Sequence, residues 1–115
     1  MENESKGKAE CSKKKVVLLI PLRFSDGSTI PTEVLLTIYD RLYSLCGGWT
    51  EAGKVKGAYR MATGQKQVDE SLQLWVAVAP SDMDELRHLV RQSGRELGQE
   101  SMYFEITGSE VEFIS

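Results

Sequence analysis

The chain has 115 residues, 41% of them hydrophobic and 27% charged, which is the composition of one soluble globular domain large enough to fold without disulfides. The net charge is −3, and five lysines against three glutamates in residues 1–15 leave −5 for the rest of the chain. This acidic body disfavours tight binding to nucleic acid, where affinity depends on neutralising phosphates.

The N-terminal residues lack the apolar segment of a signal peptide, and no run approaches the roughly 20 apolar residues of a transmembrane helix. A cytoplasmic protein without a membrane segment is therefore expected, with Cys11 and Cys46 as free thiols. Residues 1–14 are polar and free of aromatics, which predicts a disordered tail before a single domain over residues 15–115. The tail either solubilises the chain or offers its lysines to an acidic partner.

The first predicted strand covers residues 15–22, is apolar on both faces, and contains Pro21, which should weaken its hydrogen-bonded ladder. A turn at residues 26–27 leads to a helix that begins near Pro31 and ends at residues 47–48, both glycine. Its apolar positions form a buried stripe and a flanking stripe: Leu35, Ile38, Leu42 and Leu45, then Leu36, Tyr39 and Tyr43.

A second strand is predicted over residues 49–61, where Gly53 and Gly57 indicate a bulge, a bend or a close backbone approach. After a turn, residues 66–70 form a polar return that continues the hairpin. Residues 71–79 follow as the most apolar strand of the chain. Because it is apolar on both faces, this strand is predicted to lie in the middle of a sheet covered on both sides.

A second helix is predicted to begin at Ser81, where the sequence approximates a capping box, and to end at Gly98. The last full strand, residues 101–107, alternates between apolar and polar side chains. Residues 108–109, Gly-Ser, have the composition of a hairpin turn and predict a short fifth strand over residues 110–114.

The order of elements predicts an α+β, ferredoxin-like βαββαβ antiparallel sheet with two helices on one face and a short C-terminal fifth strand. Its first and third strands would be central, and these are the two most apolar. Two helices cover one face, so the other face, which carries Trp75, is left open. An open apolar face usually marks an interface, and the chain is therefore expected to homodimerise through it.

Alternation along the strands also predicts a binding site on the open face. Trp75, Tyr103 and Glu105 fall on it, together with either Tyr59 or Arg60 of the second strand. The predicted binding residues are therefore Trp75, Tyr59, Arg60, Tyr103 and Glu105, with Glu100 near one end. A carboxylate beside aromatics would have a raised pKa, as general acids and bases do, which makes Glu105, Glu100 and Tyr59 catalytic candidates without a firm assignment. The alternative is that Arg60 pairs with a glutamate across strands and the aromatics only pack.

Metal and cofactor chemistry are not expected. His88, the only histidine, falls on the polar face of the second helix, and one histidine with two separated cysteines cannot assemble a usual zinc site. A Ser-His-Asp arrangement would also have to use His88. No phosphate-binding glycine loop occurs in the sequence.

Several short runs resemble a family of small bacterial proteins of unknown function, loosely and over residues 16–114. These runs are Gly47-Gly48-Trp49, Gly57-Ala58-Tyr59-Arg60, Glu70-Ser71 and the segment from Leu97 to Glu105. The resemblance implies no activity, cofactor or partner, but it marks Tyr59, Arg60, Gln99, Glu100 and Ser101 as residues to mutate.

The function expected from the sequence is a cofactor-free binding or interaction module that homodimerises and holds a small-molecule or protein ligand. The alternative is a cofactor-free enzyme of the dimeric ferredoxin-like type that transfers a proton on a small carbonyl or aromatic substrate. A lesser alternative is single-stranded RNA binding on the sheet, against which the scarcity of basic residues around Trp75 argues.

Overall fold

The computed structural model describes residues 12–115. Its strands and helices are β1 (Lys13–Pro21), α1 (Thr32–Cys46), β2 (Thr50–Arg60), β3 (Lys66–Val78), α2 (Met83–Glu96) and β4 (Phe104–Val111). Cys11 and most of the predicted N-terminal tail lie outside the described residues. Lys13 and Lys14 belong to β1, which therefore begins two residues before the predicted strand.

The four strands form one antiparallel sheet in the order β2-β3-β1-β4. The two most apolar strands are thus central, and the predicted ferredoxin-like fold is confirmed. In the register between them, Leu18 faces Leu74 and Val17 faces Trp75. Partners across antiparallel strands share a face of the sheet, so this register separates a leucine face from a Trp75 face.

The hydrophobic core lies entirely between the leucine face and the two helices. The buried side chains that form it are Val16, Leu18, Ile20, Leu72, Leu74, Val76 and Val78 of the sheet, with Ile30, Ile38, Leu42, Cys46, Leu86, Val90 and Leu97. Leu74 and Leu86 are 0% exposed. Burying each such side chain stabilises the fold by about 1.5–3 kcal/mol. Both helices therefore cover the same face, as predicted.

The β2–β3 hairpin confirms both expectations for its interior glycines. The register shifts between Glu51 and Gly53, and Gly53 has a φ of 114°, which identifies a bulge that glycine accommodates. At Gly57 a Cβ atom would lie 2.5 Å from the hydroxyl oxygen of Tyr59, so the tyrosine ring packs directly on the backbone. The hairpin turn itself is closed by a hydrogen bond from the Met61 N–H to the Gln65 carbonyl (2.7 Å).

The predicted fifth strand is wrong. Gly108 and Ser109 do not form a turn, because β4 continues through them to Val111. The register between β1 and β4 shifts here: Val16 faces Ile106 whereas Lys14 faces Glu110. Residues 107–109 are therefore accommodated as a bulge opposite a single residue of β1, which is the other structure that a glycine in a strand can indicate.

The predicted capping box at Ser81 is also absent. A short 3-10 turn, Pro80–Asp82, comes first, and Asp82, the residue before α2, makes no side-chain capping bond. The flanking stripe of α1 is only partly covered, since Leu36 is 54% and Tyr43 is 64% exposed. No helix within residues 12–115 is both long enough and apolar enough to cross a membrane.

Candidate functional site

Trp75 lies on the face of the sheet opposite the helices, as predicted. Trp75 of β3 pairs with Val17 of β1, and Val17 pairs on its other edge with Glu105 of β4. Val17 is only 7% exposed because these two longer side chains flank it. The open face is the surface formed by Lys15, Val17, Leu19, Gln73, Trp75 and Ala77 of the two central strands.

A lysine already occupies one side of the Trp75 ring. The Lys15 Nζ atom lies 4.8 Å from the ring centroid, within the range of a cation–π interaction. This contact follows from the register, because Lys15 pairs with Ala77, two residues from Trp75 on the same face. The expectation that basic residues are scarce around Trp75 is therefore wrong, since Lys13 also lines a cleft beside this ring. Lys15 nevertheless covers a ring surface that a nucleic-acid base would need for stacking.

The structure divides the predicted site residues between two clefts. Four of them, Tyr59, Arg60, Glu100 and Tyr103, line one cleft of about 460 Å³, called here the tyrosine cleft. It lies between the end of the β2–β3 hairpin and residues 99–104, the segment that leads into the first residue of β4. Its volume is within the range of small-molecule sites.

Trp75 lines a different cleft of about 350 Å³, called here the tryptophan cleft. Trp49, Cys46 and Phe113 also line it, and Trp49 stacks on Tyr39 with ring centroids 4.3 Å apart. Glu105 lines neither of these two clefts, and its exposed carboxylate accepts a hydrogen bond from the Tyr103 hydroxyl (2.9 Å). The predicted cluster is therefore not one site.

Two hydrogen bonds fix the segment that forms one wall of the tyrosine cleft. The Gln99 N–H donates to the Gly94 carbonyl (2.9 Å), which anchors the segment to α2. The Glu100 Oε1 atom accepts a hydrogen bond from the Ala62 N–H (3.2 Å), which ties it to the hairpin turn. Glu100, a catalytic candidate, thus has a positioning contact with the backbone.

The polar groups of the tyrosine cleft include a row that sequence reasoning missed. Gln67, Asp69 and Ser71 lie on the same face of β3, and the Gln67 amide donates to the Asp69 carboxylate (2.8 Å). Every second residue of this stretch of β3 belongs to the row, which is the alternation expected of one face of a strand, so the row could have been predicted from the sequence. It was overlooked because the central strand was expected to begin only at residue 71.

The electrostatics of the cleft depend mainly on tyrosine hydroxyls and unpaired charges. The hydrogen bond to Glu105 raises the pKa of Tyr103, and the nearby Tyr59 adds to this effect. Arg60 forms no ion pair with any residue between 12 and 115, so the expected cross-strand pair with a glutamate is not observed. Arg60 is exposed and lines the cleft, but it pairs with Lys66 whereas Tyr59 pairs with Gln67, so the two side chains leave β2 on opposite faces of the sheet.

The carboxylate candidates sit in water rather than in an apolar environment. Glu100 and Glu105 are both exposed in the single chain, so the desolvation that activates a general acid or base is missing around them. Their catalytic role stays a prediction. Within residues 12–115 no three His, Cys, Asp or Glu side chains come together as metal ligands.

No family model and no curated protein matches the chain, in keeping with its resemblance to a family of unknown function. The solved structures that are similar to it include the following two. A phage SAM lyase in complex with S-methyl-5'-thioadenosine has a TM-score of 0.65, 15% identity and coverage of 90% of both chains. The divalent cation tolerance protein (Cut A1) from Thermus thermophilus has a TM-score of 0.56 and 18% identity, covering 90% of this chain and 85% of that one. These neighbours show the fold.

Proposed function

We propose that the protein is a small binding module that homodimerises through its open sheet face and holds a small-molecule ligand in the tyrosine cleft. The observation that carries the proposal is that both helices lie on one face, while Leu19 and Trp75 stay partly exposed on the other. A second copy packed face to face would cover these side chains, as in two-layer sheet packing.

Sedimentation of the purified protein at tens of micromolar tests the dimer. We expect the wild type to sediment as a dimer and Leu19→Lys, in the middle of the open face, to sediment as a monomer. Leu36→Lys is the matched control, because it replaces an exposed leucine of α1 (54% exposed) on the other side of the molecule. A monomeric wild type, or dissociation by Leu36→Lys alone, would refute this interface.

The composition of the tyrosine cleft supports a ligand with a ring and several polar groups. Tyr59 and Tyr103 supply flat apolar surfaces and hydroxyls, while Gln67 and Asp69 supply an amide and a carboxylate. Sites for small molecules usually combine apolar walls with a few polar groups of this kind. The cleft opens beside the open face, so a second copy would lie close to a bound ligand.

An enzyme that acts on a small molecule is the second candidate, favoured by the presence of Glu100 in the cleft and by the likeness to the phage SAM lyase. The sequence suggested proton transfer on a small carbonyl or aromatic substrate, with Glu100, Glu105 or Tyr59 as the acting group. The neighbour adds a nucleoside thioether as the first compound to test, since it was solved with S-methyl-5'-thioadenosine.

One assay separates the two candidates. Wild type, Tyr59→Phe and Glu100→Gln are incubated with S-adenosylmethionine, and S-methyl-5'-thioadenosine is measured by chromatography, alongside thermal shift with both compounds. A stabilising shift without product supports the binding module, and product that falls at least tenfold in Glu100→Gln supports the enzyme. No shift and no product would exclude this ligand class from both candidates.

A further inference from the structure

Helix α2 carries a row of arginines that neither cleft of the open face uses. Arg87, Arg91 and Arg95 follow one another at four-residue spacing, so they lie on one side of the helix. All three are exposed. Residues four apart on a helix are close neighbours, and the row therefore concentrates positive charge on a chain whose net charge is negative.

The arginine row borders a cleft of about 420 Å³, called here the arginine cleft. Its apolar wall is formed by Val90, Met102 and Phe104. Met102 packs against the helix backbone at Gly94, where a Cβ atom would lie only 2.6 Å from the Met102 Cγ atom. An apolar wall beside three guanidinium groups fits a ligand with an apolar part and an anionic part.

The charges of the row are only weakly compensated within the described chain. Arg87 pairs with Asp84 at 2.7 Å, but the Asp84 side chain is 88% exposed, and such exposed ion pairs contribute little to stability. Arg91 lies 3.4 Å from a ring nitrogen of His88, which carries no negative charge. Arg95 forms no ion pair with the residues from 12 to 115.

Arg87 is also held in position at the apolar end of the cleft. Its guanidinium carbon lies 5.8 Å from the centroid of the Phe104 ring, which places the charged plane over an aromatic wall. Glu100, the acidic residue of the lining, accepts a hydrogen bond from the Ala62 N–H on the hairpin turn. Two guanidinium groups without a carboxylate partner, Arg91 and Arg95, therefore remain to meet an anion.

We propose that the arginine cleft binds a small organic anion, with its phosphate or carboxylate head on Arg91 and Arg95 and its ring against Met102 and Phe104. Guanidinium groups pair with such heads through two parallel hydrogen bonds, which selects a planar or tetrahedral oxyanion over a halide. The inference goes beyond the dimer and the tyrosine cleft, because only the arginine cleft includes residues of α2. The two clefts share Met102 and Phe104, so the Arg91 and Arg95 variants decide which cleft holds the probe.

The test titrates four probes by NMR into the full-length protein: phenyl phosphate, benzoate, inorganic phosphate and benzyl alcohol. We expect the Met102 methyl signal to shift with phenyl phosphate or benzoate. Inorganic phosphate and benzyl alcohol should bind at least tenfold more weakly, because each supplies one half of the ligand. Whichever ring-bearing anion binds more tightly identifies the head group.

The control variants make the result decisive. Arg91→Gln and Arg95→Gln should each weaken binding about tenfold, the loss expected for one hydrogen bond to a charged group. Lys54→Gln, the same charge change on β2, and Tyr59→Phe in the tyrosine cleft should leave it unchanged. Equal weakening by Lys54→Gln, or undiminished binding in both arginine variants, would overturn the proposal. So would tight binding of an acidic peptide that leaves the Met102 signal in place.

Discussion

At the scale of single residues, the environment of Tyr39 clearly changes the chemistry of its hydroxyl group. Burial raises its pKa to about 12, and the negative charge of Glu51, which accepts its hydroxyl hydrogen bond at 3.2 Å, adds to the shift. The raised pKa means that folding favours the neutral phenol. Its contribution to stability is complete below pH 10, the pKa of a free tyrosine, and is lost as the pH rises from 10 through 12.

We predict that Tyr39 ionises near pH 12, and that Glu51→Gln moves this midpoint towards 10 without reaching it, because burial remains. Absorbance at about 295 nm follows the titration, and the difference between wild type and Tyr39→Phe assigns the signal to Tyr39. A wild-type midpoint close to that of a free tyrosine would contradict the partly buried, hydrogen-bonded position of this side chain.

Gly57 gives a second prediction at the residue scale, since it determines where the Tyr59 ring lies. Alanine at this position would place its Cβ atom 2.5–2.8 Å from the ring and hydroxyl of Tyr59, so the exposed ring must turn away from the backbone. Alanine is otherwise preferred to glycine in a strand by about 0.5–1 kcal/mol. The displaced ring and the better strand residue therefore act in opposite directions.

We expect Gly57→Ala to leave the free energy of unfolding unchanged or lower it, whereas the same substitution in a Tyr59→Leu background should raise it by about 0.5–1 kcal/mol. Urea denaturation of the four proteins of this cycle measures the difference. If alanine stabilised both backgrounds equally, the Tyr59 ring would not lie on Gly57, and Tyr59 would not form this wall of the tyrosine cleft.

At the scale of elements, one ion pair joins the two helices. Arg41 of α1 makes two hydrogen bonds to the Glu96 carboxylate of α2, at 2.8 and 3.1 Å, and a third to the buried Ser93 hydroxyl at 3.3 Å. The hydrogen bonds from Arg41 lower the pKa of Glu96. This stabilisation is therefore present above the carboxyl's usual pKa of 4.5 and is lost as the pH falls through its lowered value.

We predict a coupling of about 0.5–1 kcal/mol between Arg41→Gln and Glu96→Gln in a double-mutant cycle at about pH 7, since the geometry is bidentate but the pair is partly exposed. The coupling should decrease as the pH falls below the usual carboxyl pKa of 4.5 and through the lowered pKa of Glu96, because the carboxylate then takes up a proton. The matched control is the coupling between Arg87→Gln and Asp84→Asn, which should be less than about 0.5 kcal/mol because both residues belong to the same helix and the Asp84 side chain is 88% exposed. A coupling independent of pH would contradict this assignment.

The strands and helices could be predicted from the sequence where the pattern of apolar and polar side chains alone determines them. Residues 66–70 were correctly placed as the polar continuation of the hairpin, but they belong to one strand with the apolar residues that follow. Gly108 and Ser109 could not be assigned from local chemistry, because the same pair suits a turn and a bulge. The bulge is favoured over the turn by pairing with β1. Lys14 of β1 pairs with Glu110 of β4, and the Lys14 Nζ atom lies 3.1 Å from a carboxylate oxygen of Glu110.

At the scale of the whole molecule, the topology was predictable because the two central strands are apolar on both faces. The site was predicted less well, since alternation assigns a residue to a face without giving its position along the strand. Tyr59 pairs with Gln67, which lies eight residues before Trp75 on β3. At about 3.4 Å per residue, Tyr59 and Trp75 are therefore separated by about 27 Å along the strand direction. This distance explains why one predicted cluster became two clefts.

The last prediction concerns the thermal stability of the proposed dimer. If Leu19 and Trp75 are covered by a second copy, unfolding also separates the two chains, and mass action makes the melting temperature rise with protein concentration. An unfolding enthalpy of about 0.7 kcal/mol per residue over two chains predicts a rise of roughly 3 °C for each tenfold increase in concentration.

Calorimetry between about 5 and 500 µM, with reheating to confirm reversibility, measures this slope. Leu19→Lys should melt at a temperature independent of concentration, while Leu36→Lys should keep the wild-type slope, because Leu36 lies on α1 away from the open face. A flat profile for the wild type would mean that the open face is not a dimer interface. A slope that survives Leu19→Lys would instead move the interface to another surface, with Leu36 and Tyr43 on α1 as the next exposed apolar residues to test.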